Sequence, residues 1–336
     1  RTTMQDAIAA PRIGGIVRLT KFILKGTFLV ELIGAVLLLP VFGKDFGVKG
    51  IWMSIFHSIS AFCNAGFDIL GTTKNTFPSL QQYAGNALVN VVIMLLIIIG
   101  GIGFLTWEDV CTNTYHFRRY RLQSKIVLVT TAVLILLPSL FFFFWNFKNL
   151  AMEERLLASF FQAVTPRTAG FNTVDIGKMA EPAQTLIIIL MLIGGSPSST
   201  AGGMKTTTIA VLLLNAFATF RSKDTVSAFH RRIDNHVIRD AATLLMLYVM
   251  LFFGGGIAIS MYEGLPLAEC LYETASAVGT VGLTLGITPH LHMASQLILI
   301  VLMYLGRVGG LTLIYAVFSS RNKSEAKFPV EQITVG

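Results

Sequence analysis

Three short stretches have the chemistry of an ion site. Asn64-Ala65-Gly66-Phe67, Thr168-Ala169-Gly170-Phe171 and Thr280-Val281-Gly282-Leu283 are alike, and their glycines stand 104 and 112 residues apart. An ion leaving water must replace its hydration shell with oxygen ligands, and backbone carbonyls supply them without a fixed full charge. Turning successive carbonyls toward one axis calls for a residue without a Cβ, which Gly66, Gly170 and Gly282 provide. Any one of these glycines reads as readily as a tight turn or a close helix contact. Their recurrence at matching places favours the ion site. Ser60-Ala61-Phe62, Gln162-Ala163-Val164 and Ser276-Ala277-Val278 lie just upstream, where a short helix would lead into each loop.

Two further features lie within apolar runs. The stretch Gly194-Gly195-Ser196-Pro197-Ser198-Ser199-Thr200-Ala201-Gly202-Gly203, followed by Met204 and Lys205, cannot be regular helix. Proline removes a backbone donor and each glycine costs about 1 kcal/mol against alanine. At membrane depth such a break must be covered by protein or line a cavity, as a gate or as a substrate site of the kind secondary transporters build. Arg307, inside an otherwise uncharged run, costs at least about 2.5 kcal/mol on insertion scales unless it is paired or wetted. It is a site residue or half of a structural salt bridge, for which Glu31 is the partner to consider.

The elements that carry these residues are membrane elements. Of the 336 residues 54% are hydrophobic and 13% charged, with a mean hydropathy of +0.68, which excludes a soluble enzyme. Residues 126–147, 182–204, 241–262 and 274–306 contain no Asp, Glu, Lys or Arg, and each exceeds or matches the ~20 residues that cross a bilayer. Runs this long exclude barrel strands of about 9–11 alternating residues, so the fold is all-α. The net charge of +8 comes from 26 Lys and Arg against 18 Asp and Glu. Because 17 of those cations fall in residues 1–25, 118–125, 221–239 and 321–327, between or outside the apolar runs, the charge marks cytoplasmic loops and not a nucleic-acid surface. Glu153, Glu154, Glu263, Glu269 and Glu273 fall on the opposite side, so the glycine loops open outward.

The apolar segments follow the order long, short, long three times: residues 22–43, 51–62 and 75–107; then 126–147, 156–164 and the broken 183–220; then 241–262, 265–278 and 292–318. The short pieces cannot span a bilayer and fit re-entrant helices. Each unit is therefore helix, re-entrant helix with loop, and helix, dividing the chain into residues 1–110, 111–222 and 223–336. Gly100-Gly101-Ile102-Gly103 and Gly254-Gly255-Gly256 read as close-packing helix faces. Phe141 to Phe144 read as lipid-facing or core filler. Cys63, Cys111 and Cys270 read as unpaired packing residues, and His230, His236, His290 and His292 as loop positions without metal-ligand spacing. Enzyme chemistry finds no nucleophile with a base and no metal cluster.

The unit order, residues 162–172 (Gln-Ala-Val-Thr-Pro-Arg-Thr-Ala-Gly-Phe-Asn), residues 194–205 and residues 279–284 resemble the Trk/Ktr/HKT superfamily of cation transporters, with the likeness strongest to KtrB-type bacterial potassium-uptake subunits. The resemblance covers essentially the whole chain. It implies four such units around a central ion pore, of which three are present, so about 110 residues carrying a fourth loop are expected ahead of Arg1. It implies K⁺ held by filter carbonyls, an intramembrane gate at residues 194–205, and Arg307, in Gly306-Arg307-Val308-Gly309-Gly310, as an electrostatic barrier below the filter. It further implies passive gated flow in the plasma membrane, a homodimer in lipid, and a cytosolic RCK/KTN ring that binds ATP or ADP, this chain binding no organic cofactor. Residues 118–125 and 221–239 and the C-terminal tail are the docking surfaces to test. A Na⁺- or H⁺-coupled secondary transporter with its site at the broken helix is the alternative. Selectivity for K⁺ over Na⁺ and any Na⁺ dependence stay open, since Asn64 replaces the Thr of the other two loops.

Overall fold

A computed structural model describes residues 16–73, 75–114 and 116–309. Residues 1–15, the C-terminal tail and Gly310 lie outside them, as does the far end of the run expected to reach Phe318.

Eleven helices account for nearly all the regular structure of the described residues. Helix α1 (Ile16–Phe46) precedes the short α2 (Lys49–Phe62), then α3 (Ala87–Ile102) and α4 (Phe104–Asn113). The order repeats with α5 (Leu122–Phe141), α6 (Met152–Val164), α7 (Glu181–Leu192) and α8 (Thr206–Phe220). It repeats again with α9 (Asn235–Glu263), α10 (Leu267–Gly279) and α11 (Met293–Val308). A two-residue antiparallel hairpin, β1 (Ser227–Ala228) with β2 (Arg231–Arg232), joins α8 to α9.

The first helix of each group is long and apolar enough to cross a membrane. Phe28, Leu32, Val36, Leu136, Leu137, Met246 and Met250 are exposed on these helices, as side chains that face lipid tails must be. In α5 the last turn widens to a π-helix at Phe142–Asn146, which buries Phe142 and leaves Phe144 exposed, so the phenylalanine run is both core filler and lipid face. The cores form under the short helices. Phe62, Leu96, Phe161 and Phe171 pack in one cluster, and Ile187, Tyr272 and Val281 in a second.

The third helix of the first group departs from the single long span expected of residues 75–107. That run turns by 96° between α3 and α4. Gly103 makes the turn with φ +99°, and a Cβ there would overlap the Pro197 carbonyl oxygen. The broken stretch 193–205 fills the place a straight helix would take, and the Phe104 amide donates to the Ser198 carbonyl at 2.7 Å. The expected break in residues 183–220 lies between α7 and α8.

Glycines let α3 and α11 reach the ends of the short helices. A Cβ on Gly100 would overlap the Phe62 carbonyl oxygen, and one on Gly306 the Val278 carbonyl oxygen. The two carbonyls hold the same place, each two residues ahead of a glycine-loop tetrapeptide. Gly255 and Gly256 lie against Leu302 and Leu271, whereas Gly254 meets nothing within 4 Å.

Candidate functional site: three glycine loops and a broken helix

The three tetrapeptides share one backbone conformation. Their first residues are left-handed without being glycine (Asn64 φ 50°, Thr168 φ 71°, Thr280 φ 53°), and their third residues, Gly66, Gly170 and Gly282, have φ 70°, 81° and 91°. The residue between has negative φ in every case, so the sign of φ alternates along each loop. Spacing foretold the glycines. It did not foretell strained Asn and Thr two residues earlier, where a left-handed residue with a side chain costs about 1–2 kcal/mol.

Hydroxyls at the ends of the short helices hold the loops. Ser60 Oγ donates to the Phe67 carbonyl at 2.8 Å, and Thr165 Oγ1 to the Phe171 carbonyl at 2.6 Å. In the third loop Ser276 Oγ accepts from the Gly282 amide at 3.0 Å. Loops also meet each other in order: a Cβ on Gly66 would overlap the Ala169 carbonyl oxygen, and one on Gly170 the Val281 carbonyl oxygen. Asn64 joins the first two loops, its amide nitrogen donating to the Ala61 and Ile97 carbonyls at 3.1 and 3.3 Å. Its amide oxygen then faces the Thr168 hydroxyl at 3.4 Å.

The broken stretch is an ordered crossing held by backbone groups. The Gly194 amide donates to the Met204 carbonyl (2.8 Å) and the Thr206 amide to the Gly195 carbonyl (3.0 Å), closing the base. The Ser196 and Thr200 amides donate to the Gly101 and Gly100 carbonyls at 2.9 and 3.3 Å. Ser199 Oγ donates to the Ser196 carbonyl, and Thr200 Oγ1 to the Phe62 carbonyl. Lys205 Nζ donates to the Ala201 carbonyl at 2.8 Å. A Cβ on Gly202 would overlap Thr280 Oγ1, so the stretch runs directly against the third glycine loop. Arg307, exposed near the end of α11, donates from Nη1 to the Thr200 carbonyl at 2.6 Å. The salt bridge considered with Glu31 is not formed; Glu31 instead accepts a long contact from Cys63 Sγ at 3.9 Å.

The profile of the TrkH family, described as a cation transport protein, matches residues 3–325. This chain belongs to that family. Its relatives include the potassium/sodium uptake protein NtpJ of Enterococcus hirae, 38% identical, with the match covering 100% of this chain and 76% of that protein. Ktr system potassium uptake protein B of Bacillus subtilis is 37% identical, covering 100% and 75%. The crystal structure of the potassium transporter TrkH from Vibrio parahaemolyticus superposes with a TM-score of 0.73 at 18% identity over 94% of this chain and 68% of that one. The fold is thus an all-α membrane fold, and the family is one of transporters and not of enzymes.

In this TrkH-family chain several residues escaped sequence reasoning. Glu273, expected in an acidic outer loop, is buried in α10. Its carboxylate accepts from Thr284 Oγ1 (2.5 Å), the Leu285 amide (3.2 Å) and Thr288 Oγ1 (2.6 Å), tying down the chain that leaves the third loop. Glu263 accepts from the His292 amide and Ser295 Oγ and pairs with His292 Nδ1 at 2.7 Å, joining the end of α9 to the start of α11. His57 occupies in α2 the place of Glu273 in α10, seven residues ahead of the tetrapeptide, and is fully buried on the Met53 carbonyl. Carboxylates folded back across 11 to 32 residues leave no local signature. Outside the membrane, Asp175 is bridged to Lys178 at 2.8 Å, and that hydrogen bond holds its carboxyl below the usual carboxylate range.

Proposed function

We propose that this chain is the ion-conducting membrane subunit of a bacterial potassium uptake system, passing K⁺ passively through a gated pore. The observation that carries the reading is the shared left-handed signature of residues 64–67, 168–171 and 280–283, with Gly66 and Gly170 each seated on a carbonyl of the next loop. Carbonyls so arranged replace an ion's hydration shell. The names of the relatives, potassium/sodium uptake protein and Ktr system potassium uptake protein B, support the choice of cargo. In the proposed pore the units 1–110, 111–222 and 223–336 form three walls.

Residues 194–205 form the gate, crossing below the filter, with Arg307 both latching it and placing a positive charge in the path. The secondary-transport reading would put cargo on these carbonyls, but those of Ala201, Thr200, Ser198 and Gly195 already accept protein hydrogen bonds. The basic residues 118–125 and 221–239 face the cytoplasm and the glycine loops face outward. Two copies pair in the plasma membrane and dock on a cytosolic RCK/KTN ring that carries the nucleotide response.

⁸⁶Rb⁺ uptake by proteoliposomes containing the full natural chain tests this. Loss of uptake in Gly170→Ser together with raised uptake after deletion of residues 196–203 is the expected result. Wild-type uptake in both variants rejects the pore and the gate.

A further inference from the structure

Arg167 is a buried charge with no carboxylate paired to it among the described residues. Arg167 immediately precedes the second tetrapeptide and is 5% exposed. Its one side-chain hydrogen bond is from Nη2 to Thr131 Oγ1 on α5, at 3.4 Å, and its Nε has no partner. A buried, unpaired guanidinium is costly to stability, so its presence calls for a role. The matching positions in the other two loops hold Cys63 and Gly279, both uncharged.

The surrounding geometry defines what this charge does. Helix α6 ends at Val164, and the partial negative charge at a helix C-terminus favours a cation held beyond it. Arg167 lies three residues past that end, its amide donating to the Val164 carbonyl at 3.2 Å. Its guanidinium therefore offsets the attraction that α6 would exert on an ion at Thr168-Ala169-Gly170.

We infer that Arg167 is a positioning charge that weakens cation binding at the second loop, keeping the filter from holding its ion too long. The inference rests on the pore reading above. Conduction requires binding strong enough to admit an ion and weak enough to release it. A unit charge taken as about 10 Å from the axis, at an effective dielectric of about 20, changes ion affinity by about an order of magnitude.

The test is the concentration dependence of ⁸⁶Rb⁺ uptake in proteoliposomes of the full chain. Arg167→Gln is expected to lower the half-saturating Rb⁺ concentration about tenfold and to reduce maximal uptake, while Arg167→Lys, which keeps the charge, stays near wild type. Thr131→Asp places a carboxylate beside the guanidinium with Arg167 intact, and is expected to shift half-saturation in the same direction. It keeps the test decisive if Arg167→Gln does not fold. Unchanged half-saturation in Thr131→Asp, or in a folded Arg167→Gln, overturns the inference, as does a Lys variant behaving like Gln. Gly170→Ser in parallel separates the two proposals: if it conducts normally the filter itself is misassigned, whereas if it fails while the charge variants match wild type, only the role of Arg167 falls.

Discussion

Arg307→Ala separates a latch from a simple charge barrier. The guanidinium gives one short hydrogen bond to the Thr200 carbonyl, at 2.6 Å, and bonds to charged groups contribute about 1.5–3 kcal/mol. Because Arg307 is exposed, the lower end applies, equivalent to about a tenfold shift in the balance between latched and released loop. Uptake of ⁸⁶Rb⁺ through the purified chain, with no regulatory partner present, should rise by about that factor. Lysine at 307 keeps the charge but cannot reproduce the fixed donor geometry of arginine, so a latch predicts uptake close to the Ala variant and a barrier predicts uptake close to wild type. The decisive arm is a double-mutant cycle. With residues 196–203 deleted there is nothing to latch, and the rise from Arg307→Ala should be smaller than in the intact loop, leaving only the charge effect; a rise as large as in the intact loop, or no rise in either background, refutes the latch.

Other outcomes follow from the same contacts. Gly66→Ala and Gly170→Ala each force a side chain into a left-handed conformation, at about 1–2 kcal/mol, and against a neighbouring carbonyl oxygen; ⁸⁶Rb⁺ uptake and its discrimination against Na⁺ should both fall, as measured in competition assays. Glu273→Ala removes three accepted hydrogen bonds from a buried carboxylate and should cost about 2–4 kcal/mol, read as a lowered midpoint in thermal unfolding in detergent. The Asp175 carboxyl titrates below its unfolded value because of Lys178, so the pair's contribution is full at neutral pH and disappears as pH falls through that lowered value. The pair is exposed, and Asp175→Asn at pH 7 should move the unfolding midpoint by no more than about a degree.

Much of this was legible in the residues, for identifiable reasons. Uncharged runs fix the long helices, since nothing else satisfies the backbone in lipid. The recurrence of Gly66, Gly170 and Gly282 exposes three equivalent loops, and Pro197 among glycines marks the break between α7 and α8. What escaped was set by distant neighbours. Residues 84–107 read as one apolar span despite Gly100, Gly101 and Gly103, and only the Ser198 carbonyl arriving at the Phe104 amide explains a 96° turn at Gly103. Arg307 offered a carboxylate in Glu31 and took a carbonyl in Thr200 instead, because residues 194–205 cross beside α11. Arg167 read as one letter of a motif, and its isolation is visible only once α5 and α6 are packed.

The most direct test of the pore is where an ion sits. A structure of the full chain in thallium or rubidium, with the anomalous signal measured, should place a peak among the carbonyls of residues 64–67, 168–171 and 280–283. A peak on the carbonyls of residues 194–205, with none between the three glycine loops, would contradict the account and favour a coupled transporter built on the broken helix.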